Sequence, residues 1–222
     1  MRFTDRTQAG KLLAELLKKY KDKDVVVYAL PRGGVVTALE ISKYLHAPLD
    51  LIITRKIGNP QNLEYAIAAT AENGHIVGSK EEIASVDKTW FAGEVKKQRL
   101  EAKRRREMYL ADREAIPAHG KIAILVDDGI ATGLTMQAGI KELKHKHPQK
   151  IVVAVPVIPK TTAALLRREI DAVVALDIPS DATFLGSVGA YYQDFSQAED
   201  EEVIAMLKKY EQERYIRSHG KR

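Results

Sequence analysis

An apolar run, Ile124-Leu125-Val126, delivers two adjacent acids, Asp127 and Asp128, to a stretch of small and hydroxylated residues, Gly129-Ile130-Ala131-Thr132-Gly133-Leu134-Thr135. Such a loop, opening a helix, turns several backbone N–H groups toward one phosphate, while Thr132 and Thr135 add hydroxyl donors and the helix dipole adds favourable potential. The acids cannot hold a phosphate themselves. Paired carboxylates beside the cradle suit two vicinal hydroxyls of a sugar and, through them, a bound divalent ion. Read singly, Asp127-Asp128 is a polar strand end and Gly133 a turn residue. The combination, in this order and after a clean apolar strand, points to a sugar-phosphate site.

Two shorter segments belong with it. Leu30-Pro31-Arg32-Gly33-Gly34 follows an apolar run and precedes helical spacing, and its glycines would let the backbone approach an anion closely. In isolation, Arg-Gly-Gly is a common turn. Arg55 and Lys56 follow a second apolar run, where they read either as cations facing an anionic ligand or as a snorkelling surface pair.

The elements that must position these residues alternate. Gln8 to Tyr20 carries Leu12, Leu13, Leu16 and Leu17 at helical spacing, Val25 to Ala29 reads as a buried strand, Val35 to Leu45 as a helix, and Leu49 to Thr54 as the next strand. A β-hairpin around the Asn73-Gly74 turn signal, joining Ala66–Ala71 to His75–Gly78, is an excursion from that rhythm. Thr89 to Asp112 is a long, mostly exposed helix with Phe91, Val95, Ala102 and Tyr109 on one side. The rhythm then resumes with strands at Lys121–Val126, Ile151–Pro156 and Ala172–Leu176 and helices at Thr135–His145 and Thr161–Arg168. A last helix starts at the acidic run Glu199 to Glu202 and continues to about Tyr215. The expected fold is α/β, a Rossmann-like, doubly wound, mainly parallel sheet with a hairpin excursion and a small C-terminal hood. One domain over residues 1–222 is expected, with a core of about 22–178, a helical insertion at about 89–113 and the hood at about 179–222.

The segment from Ile124 to Met136 resembles the phosphoribosyl-pyrophosphate (PRPP) motif of type I phosphoribosyltransferases, and the resemblance extends from about Val25 to Leu176. It implies that Asp127 and Asp128 take the ribose hydroxyls and that Ala131, Thr132, Gly133, Leu134 and Thr135 line the 5-phosphate loop. Pro31, Arg32, Gly33 and Gly34 then stand where the family binds pyrophosphate, with a strained or cis peptide near Pro31-Arg32, and Arg55 or Lys56 would offset charge on the leaving group. Mg²⁺ is the implied cofactor, held mainly through the ligand with Asp127 and Asp128 as possible contacts. The Asn73-Gly74 hairpin falls where the family has a mobile loop; Tyr191 and Tyr192 fall in a hood over the acceptor, where a ring could stack on a base. Where relatives acting on 6-oxopurines carry an aspartate three residues after the second acid, this chain has Ala131. The implied function is transfer of a phosphoribosyl group from PRPP to a nitrogen nucleophile, a small-molecule acceptor, in a homo-oligomer.

Composition bounds the alternatives. With 222 residues, 45% hydrophobic and 29% charged, the chain has ordinary globular composition. It contains no cysteine, which excludes disulfides, thiolate metal sites and cysteine nucleophiles, and its six scattered histidines do not suggest a zinc site. No signal-peptide pattern or membrane-length apolar run is evident, so the cytoplasm is expected, with no membrane partner. The net charge of +5 is uneven, because Lys96, Lys97, Arg99, Lys103, Arg104, Arg105 and Arg106 crowd one stretch. That stretch reads as a solvated helix face or as a contact for nucleic acid, and the latter would suit a PRPP-sensing regulator without turnover. A sugar-phosphate binder with no transfer chemistry is the third reading.

Overall fold

The computed structural model describes residues 1–111 and 113–219. Helix α1 (Arg6–Leu16) precedes strand β1 (Val25–Ala29), helix α2 (Gly33–Leu45) and strand β2 (Leu49–Leu51). Strands β3 (Thr54–Asn59), β4 (Asn62–Ala71) and β5 (Ile76–Gly78) follow, then helices α3 (Lys80–Ala84) and α4 (Lys88–Leu110). The second half runs β6 (Ile122–Val126), α5 (Leu134–Lys144), β7 (Lys150–Val157), α6 (Lys160–Leu166), β8 (Ala172–Asp177) and α7 (Asp200–His219).

A five-stranded parallel sheet in the order β2-β1-β6-β7-β8 forms the centre, and β3-β4-β5 form a separate antiparallel sheet. The expected α/β architecture is therefore present. Period-two alternation explains its two-sided core. Val25, Val27 and Ala29 pack on the α1–α2–α7 side with Ile124 and Val126, whereas Val26 and Tyr28 pack on the α5–α6 side with Ala123 and Leu125. Each fully buried aliphatic chain of this kind contributes about 1.5–3 kcal/mol.

Two expectations need correction. The run Leu49 to Thr54 is not one strand: β2 ends at Leu51, and the chain enters the antiparallel sheet at Thr54. The expected hairpin exists, with the Gly74 N–H donating to the Ala71 carbonyl at 2.8 Å, but it is half of a larger unit. Its longer partner is the β3–β4 hairpin, in which Thr54 pairs with Ala71 and Asn59 with Asn62. The alternation of Ala66 to Ala71 reported one strand of that unit, while Pro60 and the paired cations obscured the other.

The long helix is confirmed over α4, with Ala102 and Tyr109 in the core and Phe91 and Val95 against the small sheet; Asp112, its expected end, lies outside the described residues. Its basic stretch is partly consumed by internal pairing. Arg104 and Arg105 both engage Glu101, holding that carboxyl down at about 2 through their hydrogen bonds. Arg106 donates to the buried Asp50 at 3.1 Å and to Glu72 at 3.3 Å, tying α4 to β2 and β4. Among the described residues no helix is long and apolar enough to cross a membrane.

Candidate active site

In the strand order, connections run one way from β1 to β2 and the other way from β6 to β7 and β8, so β1 and β6 flank the switch point, where a crevice opens at the carboxyl ends of the strands. The segments following those two strands are Leu30–Gly34 and Asp127–Thr135. They meet in a cavity of about 270 Å³. Asp127, Ala131, Thr132, Gly133 and Thr135 line it from the end of β6 and the loop after it, Leu30 and Pro31 from the end of β1, Thr54 and Lys56 from β3, and Val188 from the segment between β8 and α7.

The loop after β6 is held by hydrogen bonds from outside the cavity. The Ile130 N–H donates to the Val157 carbonyl at 2.9 Å and the Thr162 hydroxyl donates to the Ala131 carbonyl at 3.3 Å, which fixes the loop from behind. Gly133 caps α5 in a left-handed conformation, φ 85°, where a Cβ would come within 2.8 Å of the Thr162 methyl. None of the amides of residues 131–135 meets a backbone acceptor among the described residues, as expected where a loop opens a helix. Leu134 is half-buried but is not part of the cavity wall.

The two acids are not equivalent. Asp127 faces the cavity, and its Oδ1 accepts the Asp128 N–H at 2.9 Å. Burial, with the neighbouring Asp128 carboxylate adding to it, pushes the Asp127 carboxyl well above the ordinary range. Asp128 turns the other way, to a side chain that no local pattern marks: the Arg6 Nε donates to Asp128 Oδ2 at 2.6 Å. Burial raises the Asp128 carboxyl as well, against the opposing pull of Arg6.

Gly33 and Gly34 also lie directly against the two acids. A Cβ on Gly33 would lie 1.9 Å from Asp128 Oδ2, and one on Gly34 would lie 3.0 Å from Asp127 Oδ1. The glycines make room for the twin carboxylates at the start of α2, and Leu30 and Pro31 are the members of this loop that line the cavity. The Pro31–Arg32 peptide is cis, as the resemblance implied. The Arg32 side chain leaves the cavity and pairs with Glu199 at 3.3 Å and Asp200 at 3.6 Å, at the start of α7.

The other expected residues divide between the cavity and elsewhere. Alternation along β3 sends Lys56 into the cavity and Arg55 to the opposite face, where its Nε donates to Gln98 Oε1 at 3.0 Å and where it lines a broad basic cleft against α4. Tyr191 and Tyr192 are both core residues. The Tyr192 hydroxyl donates to the Asp128 carbonyl at 2.6 Å and the Tyr191 hydroxyl accepts the Leu185 N–H at 3.1 Å, so neither ring is available to stack on an acceptor. The Asn73-Gly74 turn does not cover the cavity: Asn73 donates to Glu142 of α5, and Gly74 packs on Arg99 of α4.

A family model described as a phosphoribosyl transferase domain matches residues 6–193. This chain belongs to the phosphoribosyl transferase domain family. Two Mycobacterium tuberculosis proteins, named "Putative phosphoribosyl transferase Rv0571c" and "Putative phosphoribosyl transferase MT0597", are each 40% identical to it over 207 residues. Those residues are 92% of this chain and 46% of each relative, so the chain spans about half the length of the curated relatives it matches. The crystal structure of TT1426 from Thermus thermophilus is 39% identical with a TM-score of 0.79, covering 95% of this chain and 99% of that one. The parallel sheet and its flanking helices are thus those of a phosphoribosyl transferase domain, and the match spans both segments that build the cavity.

Proposed function

We propose that this chain transfers the phosphoribosyl group of PRPP to a small nitrogen nucleophile and releases pyrophosphate. One observation carries the reading: Asp127, Lys56 and the loop residues Ala131, Thr132, Gly133 and Thr135, whose amides meet no backbone acceptor among the described residues, line a single cavity at the switch point of a phosphoribosyl transferase domain. In this reading the 5-phosphate lies on residues 131–135, the ribose diol on Asp127 with Asp128 held beside it by Arg6, and pyrophosphate toward Pro31 and Lys56. The C1–O bond to pyrophosphate breaks with its electron pair leaving on pyrophosphate, and the new bond forms from the acceptor nitrogen to C1. Anchoring the far phosphate lets binding energy act at the reacting carbon, and Lys56 offsets charge that grows on the leaving group. Thr132 and Thr135 replace water around the phosphate.

Mg²⁺ fits this cavity as an ion carried by the ligand. Among the described residues no group of three or more His, Asp or Glu side chains converges to hold a metal, and of the two site acids Asp128 is already engaged by Arg6. When bound, the ion would neutralise the diphosphate and polarise the bond to the leaving group. Residues 1–222 act as a single domain in this reading, with the 89–113 segment as an insertion and residues 179–222 as a hood.

The regulatory alternative draws less support. Arg104, Arg105, Arg106 and Lys97 pair with carboxylates of the same chain and the Arg99 guanidinium packs on the Asn73-Gly74 turn, which leaves chiefly Lys96 and Lys103 for an outside phosphate backbone. Ala131 in place of an acid argues against 6-oxopurine acceptors. The test is pyrophosphate release from PRPP with Mg²⁺, screened across free bases and simpler amines. Release that depends on one acceptor, and is abolished by Asp127→Asn with Asp128→Asn in a folded protein, supports transfer. Undiminished release from the double variant contradicts it.

A further inference from the structure

Arg6 is the first residue of α1, 122 positions before Asp128 in the chain, yet the two side chains are 11% and 15% exposed and meet at 2.6 Å. Two nitrogens and one face of the guanidinium are engaged. Its Nε donates to Asp128 Oδ2, its Nη1 donates to the Ser196 carbonyl at 2.7 Å, and its plane lies 3.8 Å over the centre of the Phe195 ring. The helix start that presents Arg6 is fixed in turn: Asp5 accepts the Gln8 N–H at 2.7 Å, and the Gln8 side chain accepts the Thr4 N–H at 2.7 Å. The segment before it is tied to the hood, with Phe3 donating to the Tyr191 carbonyl and the Gln193 and Asp194 amides donating to the Phe3 and Thr4 carbonyls.

Asp128 is therefore gripped from three sides: by Arg6, by Gly33 beneath its carboxylate, and by the Tyr192 hydroxyl on its carbonyl. We propose that Arg6 is the positioning residue of the sugar site, holding the Asp128 carboxylate in place and leaving Asp127 to face the cavity. This rests on the reading of the Asp127-Asp128 pair as the ribose site, with Asp127 as the acid that meets the diol. Without Arg6, two adjacent carboxylates share a partly buried corner with no cation in contact, and repulsion turns Asp128 away from Gly33. Because the same guanidinium is held by Phe195 and Ser196, the set of the hood and the set of the acids are linked through one side chain.

The test separates sugar recognition from phosphate recognition. Ribose 5-phosphate, inorganic phosphate and Mg²⁺–PRPP are titrated calorimetrically into the wild type, Arg6→Gln and Arg6→Lys, with thermal unfolding as a check of the fold. Arg6→Gln is expected to weaken ribose 5-phosphate and Mg²⁺–PRPP by about ten- to a hundredfold, the range of a lost charge-assisted contact, with inorganic phosphate unchanged. Arg6→Lys is expected to recover part of the loss, since lysine restores the charge but not the fork. If Arg6→Gln does not fold, Phe195→Leu, which removes the plate under the guanidinium, is expected to give the same split more weakly. Equal loss of all three ligands, or none, overturns the role of Arg6. A wild type that binds inorganic phosphate but neither sugar ligand overturns the ribose site itself, which is a different failure.

Discussion

At the scale of single residues, Asp127 carries opposing demands. Its carboxyl is raised by burial and by Asp128, so at intermediate pH the folded protein binds more protons than the unfolded chain, and stability falls as pH rises from the ordinary carboxylate range through the raised value. Asp127→Asn is therefore expected to raise the unfolding temperature of the ligand-free protein near neutral pH, with the gain vanishing in acid, while costing about 1.5–3 kcal/mol of PRPP binding. Thermal scans over a pH series and calorimetry read the two halves separately. The neighbours Arg55 and Lys56 allow a second comparison, because they point to opposite faces of β3. Lys56→Ala is expected to weaken inorganic pyrophosphate binding by about 1.5–3 kcal/mol, and Arg55→Ala by much less. Equal effects would mean that the strand faces are misassigned. At this scale, the loop from Asp127 to Thr135 was legible because strand, acids and small residues are contiguous. Arg6 was not, since nothing local marks an arginine that meets its partner across 122 positions.

At the scale of elements, the start of α2 and the end of β6 are fitted to each other. Gly33→Ala places a methyl group 1.9 Å from Asp128 Oδ2, so either α2 or the acid must move. The expected cost is about 1–3 kcal/mol of stability together with loss of ribose 5-phosphate binding, measured by urea unfolding and calorimetry. The anchorage of α4 is a separate matter. Asp50, 1% exposed, accepts from Arg106, from the Leu51 N–H at 2.7 Å and from the Ile116 N–H at 2.7 Å. Arg106→Leu leaves that carboxylate without its nearest guanidinium and is expected to cost about 3–5 kcal/mol in urea unfolding. The parallel strands were readable because each is a short apolar run bounded by turn residues, buried on both faces. The start of the small sheet was not, because β3 reads Thr54-Arg55-Lys56-Ile57-Gly58-Asn59, and only its pairing with β4 makes it a strand.

At the scale of the molecule, the family match spans the segments that line the switch-point crevice, and the distribution of charge suits the small ligand proposed for it. With much of the α4 charge paired internally, binding of single-stranded RNA or duplex DNA is expected to be weak, with a shallow dependence on salt; a steep slope across a salt series would favour the regulatory reading. The hood was legible only as a region. Its tyrosines looked like platforms for a base, but aromatic residues tethered by hydroxyl hydrogen bonds pack inward, and only the structure distinguishes the two uses. The most direct measurement is a crystal structure with PRPP and Mg²⁺. The ribose diol is expected on Asp127 with the 5-phosphate against the amides of residues 131–135. A ligand seated elsewhere, or a phosphate bound away from that loop, would contradict the account.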